Sequence, residues 1–296
     1  MRYRRLAVLM VLLCAMAFAK KKNQDDKTQV LALPVDPPML ATGETSRLVF
    51  HTSPLSAKGL LSQQTRDALR AILKLNGGVP VVHVRAFVAG SGDLRRVPQI
   101  VSEVFQDKKF PLPSVSVVQV GALPLEGAQV VIEAVSEAKK SVNPDGLSFL
   151  TAPSIEEINT ALHGAAPLRV TCFTNALESK AGVNIIQMQR EPRRTAPHCE
   201  AIGRGGDIKA QKLAFTGTQV AFGSDEKAAR LAFQRLDKEL GGAKIIATTL
   251  YTLSTKTGDA AAKLREGPIS VIPVEGVSSG DGTFAVDAVA IPRSAP

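Results

Sequence analysis

The sequence predicts an α/β protein of the α+β type, built from three tandem β-α-β-α-β-β modules. Their mixed sheets carry helices on the outer face and pack as an intramolecular pseudo-trimer. Three observations lead there. A strand with an acid directly before an alanine recurs as "VIEAVSEA" (131–138), "CEAIGR" (199–204) and "VDAVAIPR" (286–293). The same landmarks precede each copy in the same order. One such unit would also leave an apolar sheet face bare, and three units in one chain can bury those faces against each other around a pseudo-threefold axis.

The landmarks run as follows. A strand closing on small or hydroxyl residues opens each copy: "RLVFHTSP" (47–54), "GLSFLTAPS" (146–154) and "KLAFTGTQVAF" (212–222). A helical pattern comes next. "LSQQTRDALRAILKLNGG" spaces Leu61, Ala68, Leu69, Ile72 and Leu75 for one face and ends on Gly77-Gly78; "SDEKAARLAFQRLDKELGG" has Ser224 as its expected N-cap and ends on Gly241-Gly242. The middle copy has only "SIEEINTALHG". A second strand follows in "VVHVRAFVAG", "LRVTCFTNA" and "IIATTLYTLS", where Phe87, Phe173 and Leu250 or Tyr251 hold comparable places. The second helix is long and interrupted by Pro98 in copy one, nearly absent in "ALESKAG", and modest in "DAAAKLREG". A strand, a turn and the acid-bearing strand close each copy. The boundaries expected are 28–141, 142–206 and 207–296.

Ahead of the modules, Arg2, Arg4 and Arg5 precede the apolar "LAVLMVLLCAMAF" and the small-x-small step Ala17-Phe18-Ala19. That is the pattern of a signal peptide over 1–19, followed by a polar tether over 20–27, and it implies export to the periplasm or beyond. An uncleaved anchor, a buried helix, or lipid attachment at Cys14 are the competing readings. Of the net charge of +9, three units sit in this leader. The remaining excess is spread along the chain, with 4% aromatic residues and no Trp. This argues against nucleic acid as a partner; no membrane contact is expected once the leader is removed. Cys172 and Cys199 fall in predicted strands, so a cross-strand disulfide and two buried thiols are both open. Neither a metal nor a cofactor is expected, since the four histidines show no ligand spacing with these cysteines. "GRGGD" (203–207) follows a strand without opening a helix and reads as a linker, not a phosphate loop. No G-x-S-x-G elbow is present.

The segments "QQTRDALRAILKLNGG", "VVHVRAFVAGSGDLRRVPQIVSEVF" and "LPLEGAQVVIEAV", with Phe110-Pro111, resemble the RidA/YjgF family, as does "LAFTGTQVAF" with Gly217 and Gln219. The resemblance spans roughly 28–291 and is thin in copy two. It implies the family's chorismate-mutase-like fold, with one chain standing for the usual homotrimer, and thus a monomer. It also implies ligand clefts between modules, and an enamine/imine deaminase activity in which an arginine grips the substrate carboxylate while a glutamate handles protons. The glutamate position falls on Glu133, Glu200 and Asp287, which could be catalytic or structural. The arginine position falls on Val115, Val183 and Ile269, all apolar. The family's aromatic residue is missing at Pro37-Pro38-Met39. An arginine could reach in from elsewhere, with Arg190, Arg193, Arg194 and Arg265 as candidates. The expectation is therefore a protein that binds a small molecule in its inter-module clefts, lined by Val115, Val183, Ile269 and Arg190. A deaminase with a non-standard cation and a structural protein with closed clefts are the alternatives.

Overall fold

The structure, a computed structural model, describes residues 34–191, 195–209, 211–223 and 226–293. The expected signal peptide and tether, Arg193, Arg194 and the cap Ser224 lie outside the described residues.

The first module contains β1 (Leu40–Glu44), β2 (Leu48–Thr52), α1 (Leu61–Leu75), β3 (Val81–Ala89), α2 (Arg96–Asp107), β4 (Ser114–Val120) and β5 (Val130–Glu137). The second contains β6 (Leu147–Ala152), α3 (Ile155–Ala161), β7 (Pro167–Thr174), β8 (Asn184–Gln187) and β9 (His198–Arg204). The third contains β10 (Lys212–Thr216), β11 (Gln219–Ala221), α4 (Glu226–Leu240), β12 (Lys244–Thr252), α5 (Thr255–Ala262), β13 (Ile269–Pro273), β14 (Gly276–Val277) and β15 (Phe284–Ile291).

Local sequence accounts for most of these elements. In α1 the buried residues are Leu61, Gln64, Thr65, Ala68, Leu69 and Ile72, one stripe at helical spacing. The chain leaves that helix through Gly77 and Gly78, both at positive φ. Pro98 does not kink α2. The helix starts at Arg96, so the proline sits in the first turn, where a backbone N–H has no intrahelical partner to lose. Between β7 and β8 no helix forms.

Each module builds one mixed sheet: β4-β3-β5-β2, β8-β7-β9-β6, and β13-β12-β15-β10 with β11 beside β15. The inner strands match residue for residue. In each, one extra residue bulges against the acid-bearing strand, at Val82, Leu168 and Ile246. Three residues further on stand Arg85, Thr171 and Thr249, directly opposite Glu133, Glu200 and Asp287. Two more residues bring Phe87, Phe173 and Tyr251. Of the two positions open from sequence, Tyr251 is therefore the one equivalent to the phenylalanines.

Alternation assigns the two sheet faces. Val84, Ala86 and Val88 point to α1 and α2, while Phe87, Phe173 and Tyr251 join one shared cluster with Val118, Ile186 and Ile272. That cluster is the bare-face core that a pseudo-trimer requires. Strand edges are closed by exchange between modules. β1 adds to β10, β14 adds to β4, and the turn after β4 bridges to β8 at Ala122 and Gln187. The parallel edges at β4 and β8 and the antiparallel edge at β10 thus meet a neighbouring module instead of water.

Candidate functional site

Going around the axis, the carboxylate of one module faces the inner strand of the next. Glu133 accepts hydrogen bonds from Thr171 Oγ1 and from Asn184 Nδ2 (2.7 Å) of module 2. Glu200 accepts one from Thr249 Oγ1 of module 3, at 3.2 Å. At the third position stands Arg85, and it breaks the symmetry. Its Nε and Nη2 donate to Glu133 Oε2 at 2.9 and 2.8 Å, and its Nη1 donates to Glu200 Oε2 at 2.8 Å and to the Tyr251 hydroxyl at 3.3 Å. The Tyr251 hydroxyl in turn lies 3.4 Å from Asp287 Oδ2. One guanidinium therefore links all three modules, with Phe87 and Phe173 beneath it.

The three acids differ in what they can do. Glu133 is fully buried and takes four donors. Burial works to raise its carboxyl, but Arg169, Arg85 and the Thr171 and Asn184 donors outweigh that and hold it down at about 2. It is a structural anion, walled off from any ligand. The Glu200 side chain keeps 17% of its surface exposed and, among the described residues, has one protein donor on each oxygen. Burial pushes the Asp287 carboxyl up to about 6 against the opposing pull of Arg85. His83, on the same inner face, is held at about 3 by burial and by the positive charges of Arg85 and Arg169, and so is neutral at pH 7.

The interfaces have also diverged in shape. Between modules 3 and 1 the cleft is closed by backbone. A Cβ on Gly217 would lie 2.7 Å from the Val115 carbonyl oxygen, and Thr218 N–H reaches that oxygen at 3.4 Å. Between modules 1 and 2 lies a broad cleft of about 910 Å³, lined by Phe50, Ser53, Arg169, Val183 and Asn184 and rimmed by the helix-free stretch at Ser179 and Gly182. Between modules 2 and 3 a cavity of about 120 Å³ runs in from Phe149, Pro268 and Ile269 to Glu200, Asp287 and Arg85 at the axis, where His83, Arg169 and Phe215 also line it. Val115, Val183 and Ile269 thus occupy equivalent registers, and two of the three line open space.

Arg190 lines none of these clefts; its backbone N–H bonds Glu275. Arg265 is held on the outer helices by Asp237 at 2.5 Å and stacks on Phe233. The cations that do reach the interfaces, Arg85 and Arg169, were not singled out from the sequence. Their strand parity was the available signal: each shares an inward face with an aromatic two or four residues away. Among the described residues there is no metal-binding cluster, and no helix long and apolar enough to cross a membrane.

A family model described as endoribonuclease L-PSP matches residues 43–138. A structure from Mycobacterium tuberculosis, described as a member of the highly conserved YjgF/YER057c/UK114 family, is 30% identical; the match covers 31% of this chain and 80% of that one, with a TM-score of 0.28. The chain belongs to the YjgF/YER057c/UK114 family. The family model's match falls on module 1, the module that carries Arg85 and Glu133. Longer structural matches span most of the chain at lower identity. A chorismatase matches at 9% identity over 87% of this chain and 80% of its own, with a TM-score of 0.46. A cyanuric acid hydrolase, described as an innovation by structural concatenation, matches at 11% identity over 83% of this chain and 100% of its own, with a TM-score of 0.27. Comparison with curated proteins finds no significant match.

Proposed function

We propose that this family member is an exported protein that binds a small molecule at the interface of modules 2 and 3. On this reading it does not hydrolyse amino-acid-derived enamines by an arginine-dependent route. The observation that carries the reading is the chemistry at the cavity. Ile269 stands where a carboxylate-gripping arginine would, and of the two guanidiniums that line the cavity Arg85 is already bonded to Glu133 and Glu200 while Arg169 lies 3.7 Å from Glu133. A substrate carboxylate there loses charge-assisted bonds of about 1.5–3 kcal/mol each, or one to two powers of ten in affinity. Export is supported by the basic and apolar leader pattern and by the Cys172–Cys199 disulfide, which suits an oxidising compartment. A ligand that binds only the native state raises the melting temperature. A thermal-shift screen of small molecules with the wild-type chain tests the reading, and a cavity that accepts nothing would refute it.

One observation favours a deaminase as the second reading. Arg169 borders the broad cleft between modules 1 and 2, 3.7 Å from Glu133 and otherwise without a hydrogen bond among the described residues. It could hold a carboxylate. The acid beside it, Glu133, is saturated and too weakly basic to move a proton at pH 7. Freshly generated 2-aminoacrylate separates the readings: no ammonia release above buffer is expected, whereas release that Arg169→Met abolishes would establish the second.

A further inference from the structure

The cavity between modules 2 and 3 marks a missing side chain. Directly after each inner-strand bulge come His83, Arg169 and Ala247, in equivalent registers. Each of the first two reaches across its interface to a phenylalanine of the neighbouring module. The His83 ring stacks on Phe215 with centroids 5.8 Å apart and planes 19° apart. The Arg169 guanidinium lies over Phe50, 5.7 Å from the ring centroid. Phe50 and Phe149 occupy the same register of their sheets, opposite Val135 and Ile202, and Phe215 stands opposite Val289, the third member of that series. At the third interface the reaching residue is Ala247, and a methyl group cannot cover Phe149. Both residues line the cavity. Two interfaces carry a planar nitrogen-bearing group over that phenylalanine, and the third carries only a methyl group.

The charges around that place select the occupant. Arg169 sits 3.7 Å from Glu133, the acid of the module it reaches toward. The corresponding acid at the third interface is Glu200, which lines the cavity and, among the described residues, has one protein donor on each oxygen, at 2.8 and 3.2 Å. A carboxylate offers about four acceptor positions, so Glu200 retains acceptor capacity where Glu133 has none. The charged groups that line the cavity are Arg85, Arg169, Glu200 and Asp287, and both arginines already lie against the buried Glu133 behind it. A planar cation entering here meets both a carboxylate with acceptor capacity to spare and a π-face. A cavity of about 150 Å³ accommodates benzene, so one of about 120 Å³ suits a group of four to six heavy atoms.

We propose that the cavity binds a small planar N–H donor, an amidinium, guanidinium or imidazole group, which stacks on Phe149 and hydrogen-bonds Glu200 in the place left by Ala247. The proposal rests on the reading of this interface as a ligand site and names its ligand class, which is opposite in charge to a carboxylate.

The test uses three probes of nearly one shape: acetamidinium, acetate and acetone. Their binding to the full chain is measured by thermal shift and by calorimetry, with imidazole as a fourth probe. Acetamidinium is expected to bind at least tenfold more tightly than acetate or acetone. Ala247→His, which supplies the missing ring from the protein, is expected to abolish that binding; Ala247→Met fills the same space if the histidine variant does not fold. Tighter binding of acetate or acetone would overturn the assignment of ligand class and leave the ligand site standing. Failure of all four probes at millimolar concentration would overturn both. Acetamidinium binding that survives in the filled variants would place the ligand elsewhere and overturn the proposal.

Discussion

Arg85 and Glu133 stand directly opposite each other on adjacent antiparallel strands, and two guanidinium nitrogens converge on one carboxylate oxygen at 2.9 and 2.8 Å. The third nitrogen crosses to Glu200 of the next module. A homotrimer of identical subunits would place the same residue at all three positions around the axis. This single chain places Arg, Thr and Thr there, so one cation serves two acids and faces a third. Removing it leaves Glu133 fully buried and short of two charge-assisted bonds. Arg85→Met is expected to cost about 3–5 kcal/mol in urea unfolding. A loss under 1 kcal/mol would show that the network contributes little.

The two flanking acids pull stability in opposite directions with pH. Asp287 titrates at about 6 in the folded chain and near 3.9 unfolded. Between those values the native state holds a proton that the unfolded state has released. Its contribution therefore falls as pH rises from about 4 to about 6, by about 3 kcal/mol, and stays low above that. Glu133, lowered to about 2, contributes stability that is present above about 4.5 and lost as pH falls toward 2. Asp287→Asn should accordingly gain on the wild type between pH 4 and pH 7. Urea midpoints at both pH values check this, and parallel behaviour of the two proteins would contradict it.

Cys172 and Cys199 lie opposite each other on β7 and β9 and are bonded, 27 residues apart, with both thiol positions buried. They sit on the outer face of the one module without a second helix, in a small core with Ile158, Leu162 and Ile185. The cross-link holds together a sheet whose cover is thin. Its removal by Cys172→Ala with Cys199→Ala is expected to cost about 2–4 kcal/mol. The change should appear first in hydrogen exchange at β7 and β9, and uniform exchange across all three sheets would argue against that assignment.

Gly121 is where the turn after β4 touches module 2. A Cβ there would stand 2.6 Å from the Gln189 carbonyl carbon and 2.8 Å from the Arg190 nitrogen, both backbone atoms with little room to move. Gly121→Ala is expected to cost about 1–3 kcal/mol by forcing the modules apart. An unchanged melting temperature would mean that this junction is loose.

The repeat was legible because burial periodicity survives in "VIEAVSEA", "CEAIGR" and "VDAVAIPR" even where helices have been lost. The equivalence of Glu133, Glu200 and Asp287 followed from it, and that of Val115, Val183 and Ile269 from the family resemblance. The chemistry at the axis was less visible. Arg85 and Arg169 sit inside apolar strands, whereas turns and a Pro step are where a sequence offers a compensating cation, at Arg190, Arg193, Arg194 and Arg265. Strand parity in "VVHVRAFV" placed His83, Arg85 and Phe87 on one face, and in a three-module protein the inward face is the interface. The exchange of β1 and β14 between sheets left no local signature, because tertiary closure decides which edge a short strand covers. The importance of Ala247 was likewise hidden, since a small residue acquires meaning only beside its counterparts.

The central claim is that one chain supplies all three modules of the pseudo-trimer. Light scattering on the purified protein tests it most directly. The account predicts a particle no heavier than one chain, 31.3 kDa at full length, with Arg85→Met lowering stability without changing that mass. A particle of three chains that dissociates as it unfolds would contradict it.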